Sequence, residues 1–191
     1  MVEAKLPVSV VVADRPCAAL GLAVERGVAV ELVDRALYGG FGADFDREGF
    51  TASVASTLVA HQVDLVAMAG FGTVMTDAVH RAFPDRILNT HPSLLPAFPG
   101  WHGVRDALAA GVSETGCTVH VATCEMDAGP ILAQETVPVL PDDTEAVLHE
   151  RIKQVERVLY PVVVERALEE LEAGRAIVPE SVNPESCGQK A

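Results

Sequence analysis

The sequence predicts an α/β fold: a mostly parallel, Rossmann-like sheet with helices on both faces, in a single domain. Two patterns carry that expectation. Short β-branched runs alternate with helix-length amphipathic stretches, and residues 63–69 (VDLVAMA) are apolar almost throughout, as in a strand covered on both sides. The composition agrees: 49% of the 191 residues are hydrophobic and 21% charged, which is enough apolar side chain for a core and too little charge for disorder.

Each element follows in order. Residues 8–13 form a β-branched run too short for a helix; after Pro16, Leu20 and Val24 lie on one helical face, which Arg26 and Gly27 close. Residues 28–33 repeat the strand signal. The stretch 38–44 holds Gly39, Gly40 and Gly42 but lacks the GxGxxG and GxxxxGK patterns of phosphate loops, so it reads as a turn leading into a helix over 47–62. The central strand 63–69 ends in Gly70, Phe71 and Gly72, and the strand 86–88 ends in Asn89, Thr90 and His91. Parallel sheets bind ligands at the carboxyl ends of their strands, so these two tips are expected to share a crevice. Pro92, Pro96 and Pro99 make residues 92–100 a stiff, exposed loop. A helix over 104–110 and a turn over 111–116 lead to two alternating runs, 118–123 and 131–137, joined like a hairpin by a loop with Asp127 and Gly129. Asp142 and Glu145 have the spacing of a capping box for a long helix through Leu148, Ile152, Val155, Leu159 and Val162, kinked at Pro161. Residues 179–191 read as a flexible tail after a domain over 1–178.

Charge and cysteine usage narrow the partners. Fourteen Lys and Arg against 27 Asp and Glu give a net charge of −13, the wrong sign for nucleic acid or an anionic membrane. The start lacks a basic leading region and an apolar run of membrane length, so no export or insertion signal is expected. Cys17, Cys117, Cys124 and Cys187 form no CxxC pair and read as free thiols of a reducing, cytoplasmic chain. His91, His102 and His120 could meet in space, but without HExxH or CxxC spacing no metal is expected.

The densest chemistry lies in ILNTHPSLLP, residues 87–96. In an extended segment Asn89 and His91 point the same way, one an amide donor and one a group that titrates near neutrality. That pairing suits acyl transfer, where a tetrahedral intermediate needs a donor for its oxyanion and a proton acceptor near the attacking group. Asn89 capping a strand end and His91 satisfying a local carbonyl would give the same pattern. Asp127, in the glycine- and proline-bounded CEMDAGP, adds a carboxylate that a loop can aim at a site. Trp101 reads either as a cover over the strand ends or as an apolar anchor of its loop.

LVAMAGF (65–71), ILNTHPSLLPAFPGWH (87–102), GCTVHVATCEMDAGPILAQ (116–134) and ERIKQVERVLYP (150–161) stand in one order that resembles the folate-dependent formyltransferases, and among them the glycinamide ribonucleotide (GAR) formyltransferases of purine synthesis. The resemblance spans about residues 8–178. It implies transfer of a formyl group from 10-formyltetrahydrofolate, a co-substrate, to the amine of GAR, with both as small-molecule partners and a homodimer as one assembly. Asn89, His91 and Asp127 match the catalytic Asn, His and Asp: the first two hold the formyl oxygen and the third orders a proton-relaying water. Ser93, Thr118 and His120 match supporting positions. Phe71, Gly72, Thr73, Val74 and Met75 match the wall of the pterin pocket, and Lys153 and Glu156, which share a helical face, match residues reaching the ribonucleotide. The chain departs from the family at its start, which corresponds to the family's second strand, so the first strand, its phosphate loop and first helix are expected to be missing. Thr73 stands where many relatives carry a basic residue. The rival readings are a formyltetrahydrofolate hydrolase, which shares the Asn, His and Asp pattern, and a non-catalytic folate-binding remnant.

Overall fold

The computed structural model describes residues 1 and 3–177, and the tail expected over 179–191 lies outside them. Their contacts divide into two compact units, one of residues 1–66 and 70–84, the other of 67–69 and the chain from Asp85 onward.

In the first unit β1 (Val10–Ala13) and β2 (Ala29–Leu32) pair in parallel, Val10 opposite Ala29, with α1 (Ala18–Glu25) as the crossover. A 3-10 turn, Arg35–Tyr38, follows, capped by the Asp34 carboxylate accepting from the Ala36 N–H at 2.9 Å. Asp46 caps α2 (Arg47–Ala60) in the same way through Gly49 N–H. The face of α2 that repeats every three or four residues buries Phe50, Thr51, Val54, Ala55 and Leu58, and α3 (Asp77–Ala82) packs against it. Tyr38, Phe45 and Phe71 surround the fully buried Phe50 at ring-centroid distances of 5.6, 5.6 and 6.1 Å.

The strand expected over 63–69 is shorter, β3 (Val66–Ala67). The end of α2 consumes its beginning: Gln62 is left-handed at φ 52°, and Val63 N–H donates back to Leu58 O at 3.2 Å, a Schellman-type closure. Gly70, at φ 64°, turns the chain at the other end.

The second sheet has the order β3-β4-β5-β6, with β4 (Ile87–His91), β5 (Glu114–Val121) and β6 (Ile131–Pro138) joined by antiparallel pairing. The hairpin of the second half is therefore as the sequence predicts, and the α/β class holds, with parallel pairing in the first sheet and antiparallel pairing in the second. Every residue of β5 after Glu114 is buried. Over it lie α4 (Gly103–Ala109) and α5 (Glu145–Glu172), closing a core of Val104, Cys117, Val137, Leu148 and Ile152. The buried Tyr160 hydroxyl lies 3.0 Å from Met68 O and 2.9 Å from Leu88 O, so it serves the carbonyls of two neighbouring segments at once.

Two local expectations change. The N-cap of α5 is Thr144, whose hydroxyl accepts from Val147 N–H; Asp142 is exposed, and Asp143 beside it is taken up by a two-bond pairing with Arg151 at 2.6 and 2.8 Å. Cys17 and Cys117 are free thiols, but Cys124 is disulfide-bonded, a pairing that sequence spacing has no means of signalling; Cys187 lies outside the described residues. No helix among the described residues is long and apolar enough to cross a membrane.

Candidate active site

Asn89 and His91 sit two apart on β4, so their side chains share a face of the sheet. Antiparallel register places Asn89 opposite His120 and His91 opposite Thr118. Four polar side chains are thus gathered by one ladder in which directly opposed residues are near neighbours.

The hydrogen bonds fix the state of His120. Its Nδ1 lies 3.0 Å from Val121 O, a carbonyl that can only accept, so Nδ1 carries the proton. Nε2 is then a lone pair, and it accepts from Asn89 Nδ2 at 3.3 Å. Burial pushes the His120 pKa below its usual value; Val121 O and Asp127 pull the other way, and His91 adds to the lowering.

His91 is bound on both sides. Its Nε2 donates to Phe98 O at 2.7 Å, and its Nδ1 lies 3.3 Å from Asp127 Oδ2. Both side chains are nearly sealed, 5% and 6% exposed. Asp127 Oδ2 also accepts from Gly100 N–H at 2.7 Å, and Oδ1 lies 3.7 Å from His120 Nε2.

The loop after β4 is tied down to present these groups. Ser93 Oγ donates to Ala97 O at 2.5 Å, and Thr118 Oγ1 donates to Ser93 O at 2.6 Å while accepting from Leu95 N–H at 3.0 Å and Gln134 Nε2 at 2.9 Å. Phe98, at φ 54°, turns its carbonyl toward His91. Helix α4 then starts at Gly103, where a Cβ would stand 2.9 Å from His91 Nε2 and 3.0 Å from Phe98 O; only glycine lets that backbone approach so closely.

Asn89, His91, Ser93, Thr118, His120 and Asp127 are therefore brought together within the second unit. Ser93 and Thr118 hold the loop. The Phe98 carbonyl, the Gly100 N–H, Gly103 and Gln134 were not legible, because backbone atoms and a glycine carry no side-chain signal. Lys153 and Glu156 lie half-buried on α5 without an ion pair between them. Glu156 faces inward: its charge, after burial, raises the pKa of Cys117, to about 12, and of Tyr160. Phe71, Gly72, Thr73, Val74 and Met75 belong to the first unit, where Phe71 stacks on Phe50, Met75 is buried, and buried Thr73 accepts from Arg35 Nη1. A basic group thus does reach position 73, from another element. Trp101 is 65% exposed and so does not anchor its loop in a core. Among the described residues no three His, Cys, Asp or Glu side chains are placed to hold a metal ion.

A sheet that gathers the Asn89 amide, the His91 imidazole and the Asp127 carboxylate in one place carries the kinds of group that acyl transfer uses. The formyl transferase family model matches residues 4–164, and the chain belongs to that family. It is 46% identical over 151 residues to phosphoribosylglycinamide formyltransferase of Mycobacterium tuberculosis, a match covering 79% of this chain and 67% of that protein. It is 42% identical over 137 residues to the trifunctional purine biosynthetic protein adenosine-3 of Drosophila melanogaster, covering 72% of this chain and 10% of the larger protein. Among solved structures, glycinamide ribonucleotide transformylase 1 from Symbiobacterium toebii superimposes with a TM-score of 0.81 at 41% identity, over 93% of this chain and 81% of that one.

Proposed function

We propose that the protein transfers the formyl group of 10-formyltetrahydrofolate to the amine of GAR, giving formyl-GAR and tetrahydrofolate. The observation that carries this reading is the pair of contacts on one face of β4 and β5, the part-buried Asn89 with neutral His120 and the nearly sealed His91 with Asp127. The neutral amine attacks the formyl carbon, the bond from that carbon to folate N10 breaks, and a proton passes from the amine to N10. The Asn89 amide donates to the formyl oxygen as it gains charge, and His91 joins it when the substrate oxygen takes the place of one of its present partners, Phe98 O or Asp127, while Asp127 orders a water for the relay. Neutral His120 keeps the Asn89 amide nitrogen turned into the site. Alignment of two bound substrates supplies much of the rest of the acceleration. Formyl transfer is tested by incubating the chain with GAR and 10-formyltetrahydrofolate and measuring formyl-GAR and tetrahydrofolate, which are expected in equal amounts. Formate released without formyl-GAR would instead favour the hydrolase.

A further inference from the structure

One row of side chains crosses three strands of the second sheet and ends on His91. Gln134 on β6 stands opposite Thr118 on β5, and Thr118 stands opposite His91 on β4. Directly opposed residues share a face of the sheet, so the three lie side by side. Gln134 is exposed and on an edge strand, where water alone could satisfy a polar side chain. It is committed to the protein instead: Nε2 donates to Leu95 O at 2.9 Å and to Thr118 Oγ1 at 2.9 Å. A carbonyl only accepts, so the amide can present only its nitrogen to Leu95. The Thr118 hydroxyl is then used in full, its proton given to Ser93 O at 2.6 Å and its lone pairs taken by Leu95 N–H at 3.0 Å and by Gln134.

These bonds grip Ser93 and Leu95 at the start of the loop, and the end of the same loop places Phe98 O 2.7 Å from His91 Nε2. Between them Ser93 Oγ donates to Ala97 O at 2.5 Å and Ala97 N–H to Leu94 O at 3.0 Å, so the chain is cross-tied before it reaches Phe98. Leu94 is seated on Gly116, where a Cβ would stand 2.6 Å from its side chain. We propose that Gln134 is a positioning residue for formyl transfer: through Leu95 O and the Thr118 hydroxyl it fixes the loop whose Phe98 carbonyl orients the His91 ring. It acts on the ring and through it on the reaction, and the kinetic part rests on the reaction proposed above.

The test compares Gln134→Met, of similar length but without a donor, with Gln134→Lys, which restores one. The readouts are kcat, KM and the 15N shifts of the His91 ring, followed through its carbon-bound protons. Gln134→Met is expected to lower kcat about tenfold, the effect of losing two neutral hydrogen bonds, to leave KM for both substrates unchanged, and to move the His91 ring shifts. Gln134→Lys is expected to recover most of kcat and the wild-type ring shifts. A purely structural role would instead lower the melting temperature and leave kcat and the ring shifts of the folded protein as in the wild type; that result overturns the proposal, as does an equal loss in Met and Lys. Should Gln134→Met fail to fold, Gln134→Glu, whose oxygens face Leu95 O without a donor, takes its place with the same expectations. If the wild type transfers no formyl group, the proposed reaction falls and the ring shifts alone decide: moved in Gln134→Met and restored in Gln134→Lys they uphold the positioning of His91, and unmoved they refute it.

Discussion

A histidine with a partner at each ring nitrogen is held in one orientation, and His91 is held in this way, hydrogen-bonded to Phe98 O through Nε2 and with Asp127 Oδ2 3.3 Å from Nδ1. His91→Ala is expected to lower the rate of formyl transfer by about 100-fold or more while leaving the circular dichroism spectrum unchanged, because it removes one donor from a site built on a sheet that Ile87 and Leu88 anchor. Asp127→Asn, which keeps the shape and the tolerance of a left-handed backbone, is expected to do the same; turnover near the wild-type rate would remove Asp127 from the mechanism. His120 offers a pH test. Its folded pKa lies below its ordinary 6.5, so as pH falls through 6.5 the unfolded chain takes up that proton first and the folded state loses stability. His120→Asn is expected to flatten this part of the melting-temperature profile, and 15N spectra of the wild type should show a neutral Nδ1–H ring at pH 6.5. The candidacy of Asn89, His91 and Asp127 was readable because it lies in side chains with a two-residue rhythm and a glycine-bounded loop. The carbonyl that holds His91 was not, since it belongs to a phenylalanine in a backbone conformation that phenylalanine seldom adopts.

The long-period helices were legible, as were the short β-branched strands and α4, but two short helical elements were not. Helix α5 repeats its apolar positions over 28 residues, and the run includes Pro161, which leaves one carbonyl of the preceding turn unbonded. Helix α3, of six residues, and the four-residue 3-10 turn fall below the length at which period separates helix from loop. The start of α5 also shows how local competition escapes a motif: the spacing pointed to Asp142, but Thr144 caps, and the side chain of Asp143 is nearly sealed against Arg151. Hydrogen bonds from Arg151, then from Leu140 N–H, hold the Asp143 pKa down at about 2 against an ordinary 3.8. Because the folded value is depressed, the stabilisation is complete above about 3.8, fades as pH falls and is gone below about 2. Asp143→Asn is therefore expected to melt at a lower temperature than wild type at pH 7, with the gap closing between pH 4 and 2. A gap that stays constant over that range would rule out the pairing as its cause.

Across the whole chain, protection against hydrogen exchange should follow how each sheet is covered. Strand β5 is paired on both edges and buried along its length, whereas β1 and β2 form a two-stranded ladder in which Leu32 is exposed and the crossover helix buries only Ala23. Two paired strands are marginal by themselves. Amide exchange measured by mass spectrometry is expected to be slower in β5 by at least about two orders of magnitude, given the spread of local opening energies; equal protection would mean that β1 and β2 are stabilised by something outside these two elements. Length and composition anticipated an acidic chain with a real core, in one domain or two packed halves, but not where that core divides, because contacts distant in sequence decide which apolar faces meet.

Asp127 sits at φ 56°, in the left-handed region that glycine occupies freely and aspartate only at some cost. An aspartate codon becomes a glycine codon through a single base change. That substitution would ease the backbone while deleting the carboxylate and leaving the Gly100 N–H without its acceptor, two effects of opposite sign and similar size, so the commonest kind of mutational accident at this position is expected to yield a chain that folds about as well and loses the transfer reaction. A selection that reads expression or solubility would pass it, and only one that reads the reaction itself would see the loss.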